Sequence, residues 1–225
     1  MTSERVGRED EQDQQLAKRQ RTSAFGRENV ATRDEMFEYY SGSAKDKPDE
    51  KYMSNFEPCN IVVGGREYPN VEASFQADKM RCSDCPSKAS MFECGGEVGD
   101  EGKAAKFAGN KKSFKNSRCQ LDTAMWERKK DDAMIQALKA RLSVDERFRE
   151  ILLHKTRGRY ILHYEGRGAG AKSEWGGKWD IEVGKVVGGN KLGEMLMTLR
   201  ADELRIMKEA ESTRTNEEKP STALH

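Results

Sequence analysis

No apolar run in this sequence approaches the roughly 20 residues that a membrane-spanning helix needs. The stretch from Met1 to Gln20 is charged and rich in glutamine, so it also lacks the apolar core of a secretory signal peptide. Both absences argue against an integral membrane protein or a secreted one. We therefore expect an intracellular protein, cytoplasmic or nuclear, with no membrane partner.

The sequence also lacks an excess of charge of either sign. Lys and Arg together number 40 against 39 Asp and Glu, which leaves a net charge of +1. Proteins that bind nucleic acid through a global basic field carry a clear positive excess, so any contact of this chain with nucleic acid must be local. Charged residues make up 35% of the chain and hydrophobic residues another 35%, which predicts a modest core with unfolded polar tails.

A disulfide framework is not supported, because the five cysteines are odd in number and no secretory signal precedes them. Cys82 and Cys85 have the spacing of two metal ligands. A zinc site would need Cys94 and one further ligand, either Cys119 or a histidine, and a second paired CxxC motif is missing. We interpret the cysteines as free thiols and expect no metal; a zinc-dependent nucleic-acid binder is the alternative.

Several familiar catalytic motifs are absent as well. The sequence has no internal repeat and no Ser–His–Asp or Cys–His arrangement in a recognisable local context. The segment Gly188 to Gly193 is not GxxxxGK[ST], so a nucleotide triphosphatase loop is not supported. His154 falls on a predicted apolar helix and His163 in a predicted strand, and we interpret both as structural.

The stretch from Pro69 to Lys79 is the most informative part of the sequence. Asn70 is a favoured N-cap, and the helix that it begins places Glu72, Phe75, Gln76 and Lys79 on one face. A carboxylate, an amide and an amine beside an aromatic ring would suit the wall of a polar pocket. The same spacing is also typical of a solvated Glu–Lys helix face, and the sequence leaves both interpretations open.

Other patterns give the organisation of the chain. Residues 1–30 are a polar arm with a short basic cluster, and residues 208–225 are a polar tail; we predict both to be disordered. Ile61–Val63 and Arg66–Tyr68 flank Gly64-Gly65 as two short strands, and the longest helical run is predicted over Trp126–Leu142.

Glycines dominate two later segments. One loop, 166–177, ends in Trp175-Gly176-Gly177, and Gly188 to Gly193 opens an apolar helix. Backbone N–H groups at such a helix N-terminus favour an anion such as phosphate. A plain glycine turn before a packed helix accounts for the pattern equally well.

An ordered set of motifs across residues 50 to 205 resembles the NADAR superfamily of YbiA-like proteins. The motifs are Ser54-Asn55-Phe56, Tyr-Pro-x-x-Glu-x-x-Phe-Gln-Ala-x-Lys at 68–79, Trp126 with Met134, Leu152-Leu153 with Thr156, Trp175-Gly176, and Gly189-Asn190-Lys191-Leu192-Gly193 with Leu196, Met197 and Arg200. The resemblance implies a single compact α+β domain over 31–207, predominantly helical with a small β element.

The resemblance also implies hydrolysis of an N-glycosidic bond, without a cofactor. Such proteins are associated with removal of ADP-ribose from the guanine amino group of nucleic acid, and with cleavage of phosphoribosylamino-pyrimidine intermediates of the riboflavin pathway. The expected catalytic residues are Glu72, as the acid–base group, and Lys79, as a Schiff-base nucleophile. The expected substrate-binding residues are Asn55, Phe56, Gln76, Trp126, Trp175, Gly176, Gly189, Asn190 and Gly193.

Some positions depart from the family's pattern. Where relatives often carry an acidic residue, three positions before the Trp-Gly pair, this chain has Lys172, and His163 stands where they often have Glu. A cation near the pocket favours a more anionic substrate, so we expect ADP-ribosylated guanine, as a nucleotide or in nucleic acid, as the substrate. The alternatives are a riboflavin-pathway N-glycosidase and a non-catalytic reader that binds ADP-ribose.

Overall fold

The computed structural model describes residues 33–40, 47–165 and 172–217. The predicted disordered arm, part of the glycine-rich loop and the end of the predicted tail lie outside these residues. In chain order the elements are β1 (Met36–Tyr39), α1 (Pro48–Tyr52), β2 (Ile61–Val63), β3 (Arg66–Tyr68), α2 (Val71–Arg81), a 3-10 helix (Pro86–Phe92), α3 (Gly102–Ala108), α4 (Lys111–Asn116), α5 (Thr123–Val144), α6 (Glu146–Glu150), a π-helical turn (Ile151–Lys155), β4 (Tyr160–His163), β5 (Gly177–Asp180), β6 (Lys185–Gly188) and α7 (Lys191–Glu217).

The chain divides into two compact units. The central unit is Tyr39–Lys155, and the terminal unit consists of Met1–Glu38 together with Thr156–His225. The predicted fold class, α+β and predominantly helical with a small β component, is confirmed, because in the described part of the chain the strands form two-stranded sheets and the remaining elements are helical. No helix in the described part of the chain combines the length and the apolar character needed to cross a bilayer.

Helix α2 lies at the centre of the central unit and packs against α3, α5 and the 3-10 helix. Asn70 caps it as predicted: its Oδ1 accepts the Ala73 N–H at 2.9 Å, while its Nδ2 donates to the Asp100 carbonyl at 2.8 Å. Before it, β2 and β3 form an antiparallel hairpin. Its turn residues Gly64 and Gly65 have φ of 57° and 75°, as a two-residue type I′ turn requires.

In the terminal unit β5 and β6 form a second antiparallel hairpin. Strand β4 pairs with β1. Helix α7 begins at Lys191 and buries Leu192, Leu196 and Leu199. It covers 27 residues against 22 for α5, so the prediction of the longest helix at 126–142 was wrong.

Helix α7 also continues to Glu217, through the first part of the predicted tail. From Arg205 to Arg214 its side chains are exposed, and Arg205 forms a 3.2 Å ion pair with Glu209 one turn later. Residues of good helix propensity and such i, i+4 pairs maintain a helix without a buried face. The stretch Arg81 to Gly102, which has no regular pattern in the sequence, contains the 3-10 helix.

Candidate active site on the central helix

The polar face of α2 is buried. Glu72 is 7% exposed and Gln76 is 6% exposed, and the Gln76 amide nitrogen donates a 2.8 Å hydrogen bond to Oε1 of Glu72. Solvated Glu–Lys stripes keep their carboxylates in water, so that interpretation of the sequence was wrong for Glu72. A carboxyl group buried this deeply needs either a partner or a function.

Burial raises the pKa of the Glu72 carboxyl above its ordinary value. The hydrogen bond from Gln76 and the charges of Lys106 and Lys79 act in the opposite direction without cancelling the effect of burial. A carboxyl group with a raised pKa retains its proton closer to neutral pH, which is the property of a general acid.

Lys79 lies on the same face, nearly two turns after Glu72. Its Nζ donates a 2.7 Å hydrogen bond to the Gly109 carbonyl and lies 5.6 Å from the centre of the Phe114 ring. Burial lowers the pKa of the Lys79 amine; the nearby Lys111 lowers it further, and Glu72 acts against both. A lysine with a lowered pKa has more of the neutral amine, which is the nucleophilic form.

Gly109 brings the end of α3 against this face. A Cβ at position 109 would lie 1.9 Å from Oε1 of Gln76, so no larger residue fits there without displacing the Gln76 side chain. The sequence identified Gly109 only as the end of a short helix. In the structure it also allows its own carbonyl to reach Lys79.

Asn55 supports the same site from the segment before β2. Its backbone carbonyl accepts the Glu72 N–H at 3.1 Å, and its side-chain nitrogen contacts Sδ of Met134 at 3.5 Å. Oδ1 of Asn55 and Oε1 of Gln76 are both buried and accept no hydrogen bond from the residues that the structure describes. Buried acceptors of this kind are unusual in native proteins and are suited to ligand hydroxyl groups.

Arg141, on α5, holds the backbone before Asn55 in place. Its fully buried guanidinium donates to the carbonyls of Ser54 and Tyr52, both at 2.8 Å, and pairs with Asp145 at 3.0 Å. It also lies 4.3 Å from the centre of the Phe148 ring. Arg141 is therefore a positioning residue for the Ser-Asn-Phe segment.

Two of the predicted substrate-binding residues pack against other parts of the central unit. Trp126 is 6% exposed and makes an edge-to-face contact with Phe75 at 4.9 Å between ring centres, so its ring packs against α2. The predicted stacking of Trp126 on a base is not supported by this burial. Phe56 packs against Gly102, where a Cβ would lie 2.6 Å from its own Cβ, and Lys106 Nζ lies 5.6 Å from its ring centre.

Asn190 has a structural role within the terminal unit. It is fully buried; its Oδ1 accepts the His163 N–H at 2.9 Å, and its Nδ2 donates to the Ile161 carbonyl at 2.9 Å and to the Tyr160 hydroxyl at 3.0 Å. These bonds connect β4 to the start of α7. The side chain is thus already fully engaged, which corrects the prediction that Asn190 approaches a phosphate.

The backbone N–H groups predicted to bind an anion at this helix N-terminus are occupied too. The four donors are Gly189, Asn190, Lys191 and Leu192, and their acceptors are the carbonyls of Ser173, Gly176, Glu174 and Trp175 respectively. A loop that covers the helix N-terminus satisfies these groups in place of a phosphate. The prediction of an open anion site there was wrong.

The predicted glycines of the terminal unit have packing roles. A Cβ at Gly193 would lie 2.2 Å from the Ile161 carbonyl oxygen, one at Gly189 would lie 2.2 Å from the Glu174 carbonyl oxygen, and one at Gly176 would meet the Glu165 side chain at 2.6 Å. Trp175 is half-buried, and Lys191 Nζ lies 5.4 Å from its ring centre. Its predicted stacking on a base remains a prediction.

The model of the NADAR domain family matches residues 40–205, most of the chain. The chain belongs to the NADAR family. Among solved structures it is similar to the NMR structure of the Escherichia coli protein YbiA, with 24% sequence identity, a TM-score of 0.54, and coverage of 80% of this chain and 92% of that one. That similarity shows a YbiA-like fold. No curated protein matches the chain.

The family assignment confirms the resemblance found in the sequence. NADAR proteins are generally N-glycosidase hydrolases. Within this NADAR chain the motif at 68–79 corresponds to α2, which carries Glu72, Gln76 and Lys79. The substrate is not given by the family.

The cysteines of this NADAR chain include one compact cluster. The ligand atoms of Asp84, Cys85 and Cys119 lie within 4.8 Å of one another, and the group contains neither Cys82 nor Cys94. Lys88 Nζ contacts Cys119 Sγ at 3.5 Å. An ammonium at this distance competes with a metal ion for the thiolate, so the zinc site considered from the sequence is not the one that the fold assembles.

Sequence reasoning missed several residues that the structure adds to the site. These are Lys106, Gly109, Lys111 and Arg141. Lys106 and Lys111 belong to a segment that is visibly basic in the sequence, and this composition could have indicated that they belong to the site. The role of Arg141 could not be read locally, because the two carbonyls that it holds lie 87 and 89 residues away.

Proposed function

We propose that this protein hydrolyses the N-glycosidic bond that joins ADP-ribose to the amino group of guanine in nucleic acid. The observation that carries this proposal is the buried Glu72–Gln76 pair, with Lys79 on the same face of α2. The pKa of the carboxyl is raised and that of the amine is lowered, so the two groups approach the protonation states that this reaction requires.

Cleavage at an anomeric carbon leaves positive charge on the ribose and needs a proton on the departing nitrogen. Protonated Glu72 donates that proton to the guanine amino nitrogen as the carbon–nitrogen bond breaks. The resulting carboxylate then faces the oxocarbenium-like ribose and takes a proton from the water that adds to the anomeric carbon. One water is consumed, and the products are free ADP-ribose and unmodified guanine in the nucleic acid.

Lys79 offers a covalent variant of the same reaction. The glycosylamine can open to an imine at the anomeric carbon, and the neutral Lys79 amine then adds to that carbon and displaces the guanine amine, which leaves a Schiff base. Water hydrolyses the Schiff base and restores Lys79. Before it can attack, the amine has to rotate away from the Gly109 carbonyl that it now contacts.

In this proposal, two unpaired acceptors orient the substrate. Oδ1 of Asn55 and Oε1 of Gln76 are buried and oriented by their own side-chain nitrogens, which already have protein partners. In the proposed complex each accepts a hydrogen bond from a ribose hydroxyl.

The test follows the mass of an oligonucleotide that carries ADP-ribosylated guanine during incubation with wild type, Glu72→Gln and the control Glu146→Gln, which changes an exposed glutamate of the same unit. We expect release of ADP-ribose by wild type and control alone. ADP-ribose binding without turnover would instead make the protein a reader, and turnover only of a phosphoribosylamino-pyrimidine would move it to the riboflavin-type activity.

The covalent variant has a separate test. Borohydride added during turnover should leave an ADP-ribose-sized mass on the wild-type chain and none on Lys79→Arg. Normal turnover with no trapped adduct would eliminate the Schiff base and leave direct hydrolysis through Glu72.

A further inference from the structure

The positive charge of this chain is concentrated next to the candidate site. Residues 102–121 contain six Lys or Arg and no Asp or Glu, although the chain as a whole has a net charge of only +1. The six, which we call the basic segment, are Lys103, Lys106, Lys111, Lys112, Lys115 and Arg118. This is the kind of local basic patch that a nearly neutral protein would need in order to bind nucleic acid.

The structure displays these cations on α3, on α4 and in the loop that follows. All six are exposed, and no carboxylate of the described residues lies within ion-pair distance of any of them. Elsewhere in the central unit, exposed cations such as Arg66 and Arg147 do pair with acidic residues. The basic segment therefore keeps its full charge available for an external anion.

Three of these cations line a cavity whose wall also includes Lys79. The cavity has a volume of about 470 Å³, and its walls include Lys79, Lys111, Lys115 and Arg118, with Phe114 among its apolar residues. Like charges placed together repel one another, and Lys111 accordingly lowers the pKa of Lys79. An anion in the cavity would relieve it.

Arg118 has an unusual backbone for its residue type. Its φ is 56°, and it follows α4 where the Arg118 N–H bonds the Lys115 carbonyl and the Cys119 N–H bonds the Phe114 carbonyl. This is a Schellman motif with arginine at the left-handed position that glycine normally occupies. Asp84 and Gln120 fix the loop through a 3.1 Å backbone bond. The strained arginine is unfavourable for stability, so its side chain needs a reason to be there.

An aromatic ring of α3 is exposed within residues 102–121. Phe107 is 65% exposed, in contrast to the ring of Phe114, which is buried. It forms part of the wall of a second cavity of about 730 Å³, together with the serines Ser87, Ser90, Ser113 and Ser117. Exposed aromatic rings beside basic grooves are the features on which unpaired bases stack.

From these observations we infer that the basic segment binds a single strand of nucleic acid, with backbone phosphates at Lys111, Lys115 and Arg118 and a base on Phe107. This deepens the proposed function, since the strand would run past Lys79 and present an unpaired guanine to Glu72. A single strand is the expected form because the guanine amino group is engaged in base pairing within a duplex.

Fluorescence anisotropy of an unmodified single-stranded oligonucleotide tests the inference without turnover. We expect Lys111→Ala/Lys115→Ala/Arg118→Gly to weaken binding at least tenfold near 0.1 M salt and to reduce the slope of log K against log salt by about 2. The control Lys139→Ala/Lys155→Ala/Lys208→Ala removes the same charge from exposed positions and should bind like wild type. Equal affinities for the two triple variants would overturn the inference.

Two single variants sharpen the test. Arg118→Gly should weaken strand binding while raising Tm by about 2–4 °C, because glycine relieves the left-handed backbone. Phe107→Ser should weaken binding roughly tenfold with little change in the salt slope. If Arg118→Gly lowers Tm, the argument from strain is wrong.

A competition arm separates this inference from the proposed function. Free ADP-ribose in excess should not displace the unmodified strand from wild type. If ADP-ribose does displace the strand from wild type, and this displacement is absent in the triple variant Lys111→Ala/Lys115→Ala/Arg118→Gly, the cavity is a diphosphate site and the strand assignment is overturned. Strand binding without release of ADP-ribose from a modified strand would leave the inference standing and reject the proposed hydrolase.

Discussion

The amide nitrogen of Gln76 donates a 2.8 Å hydrogen bond to Oε1 of Glu72, one helical turn away on the buried face of α2. The bond occupies the side-chain nitrogen of Gln76 and leaves its Oε1 as an acceptor without a partner among the described residues. One helix face therefore presents an acid and an open acceptor together.

Glu72→Gln should lower the rate by roughly 10²–10⁴-fold, the typical contribution of a general acid. The same variant should be more stable than wild type, because burial raises the pKa of Glu72. A raised folded-state pKa stabilises the protein below the unfolded pKa, and this stabilisation disappears as the pH rises through the folded pKa.

Thermal unfolding of wild type and Glu72→Gln between pH 4 and pH 9 checks this. The Tm advantage of the variant should grow with pH and correspond to about 1 kcal/mol at alkaline pH, or about 2–4 °C. A constant or shrinking advantage would mean that the carboxyl is not destabilised by its burial.

Lys111→Ala should shift the pH dependence of kcat to higher pH. Lys111 lowers the pKa of Lys79, so removing this cation raises that pKa and reduces the neutral amine at a given pH. Measurement of kcat at saturating substrate from pH 6 to pH 10 tests this, with Lys139→Ala as the control. An unchanged profile would indicate that Lys79 does not act as a nucleophile in the step that limits the rate.

Arg141→Met should destabilise the protein by about 3–5 kcal/mol, because it leaves the buried Asp145 carboxylate without its ion pair and two backbone carbonyls without donors. Arg147→Met, at a half-exposed ion pair with Asp49, should change stability by only about 0.5 kcal/mol. Urea unfolding of the two variants measures both effects. Comparable losses would refute the buried-network account.

Asn190→Ala should destabilise the terminal unit by roughly 2–4 kcal/mol, since it removes three buried hydrogen bonds. Asn190→Gly tests whether the backbone or the side chain matters, because glycine tolerates the φ of 46° at this position but makes none of the bonds. Hydrogen exchange of β4 amides should increase in both variants. If glycine behaves like wild type, the side-chain bonds contribute little.

The local elements and the family were predictable from the sequence. Asn70 caps α2, and Gly64-Gly65 forms the hairpin turn, because capping and positive φ depend on a residue and its immediate neighbours. Glu72, Gln76 and Lys79 were placed on one face by the helical period alone. The ordered motifs identified the NADAR family.

The prediction of an anion site at the helix N-terminus around Asn190 was wrong. Glycine and asparagine at a helix N-terminus indicate free N–H donors only if no other part of the chain covers them. Here the segment Ser173–Gly176 supplies carbonyls to all four donors. Local composition shows that donors exist, but it cannot show that a segment more than ten residues earlier returns to accept from them.

Three features followed from the sequence alone: the helix around Glu72, the family, and the basic segment from Lys103 to Arg118. Tertiary structure alone decided that Glu72 is buried, that Lys79 contacts Gly109, and that Arg141 reaches the carbonyl of Ser54. Periodicity specifies which side chains share a face, but the pKa of each group depends on how much water remains around it. That depends on which distant segments pack there, here α3 through Gly109 and α5 through Arg141.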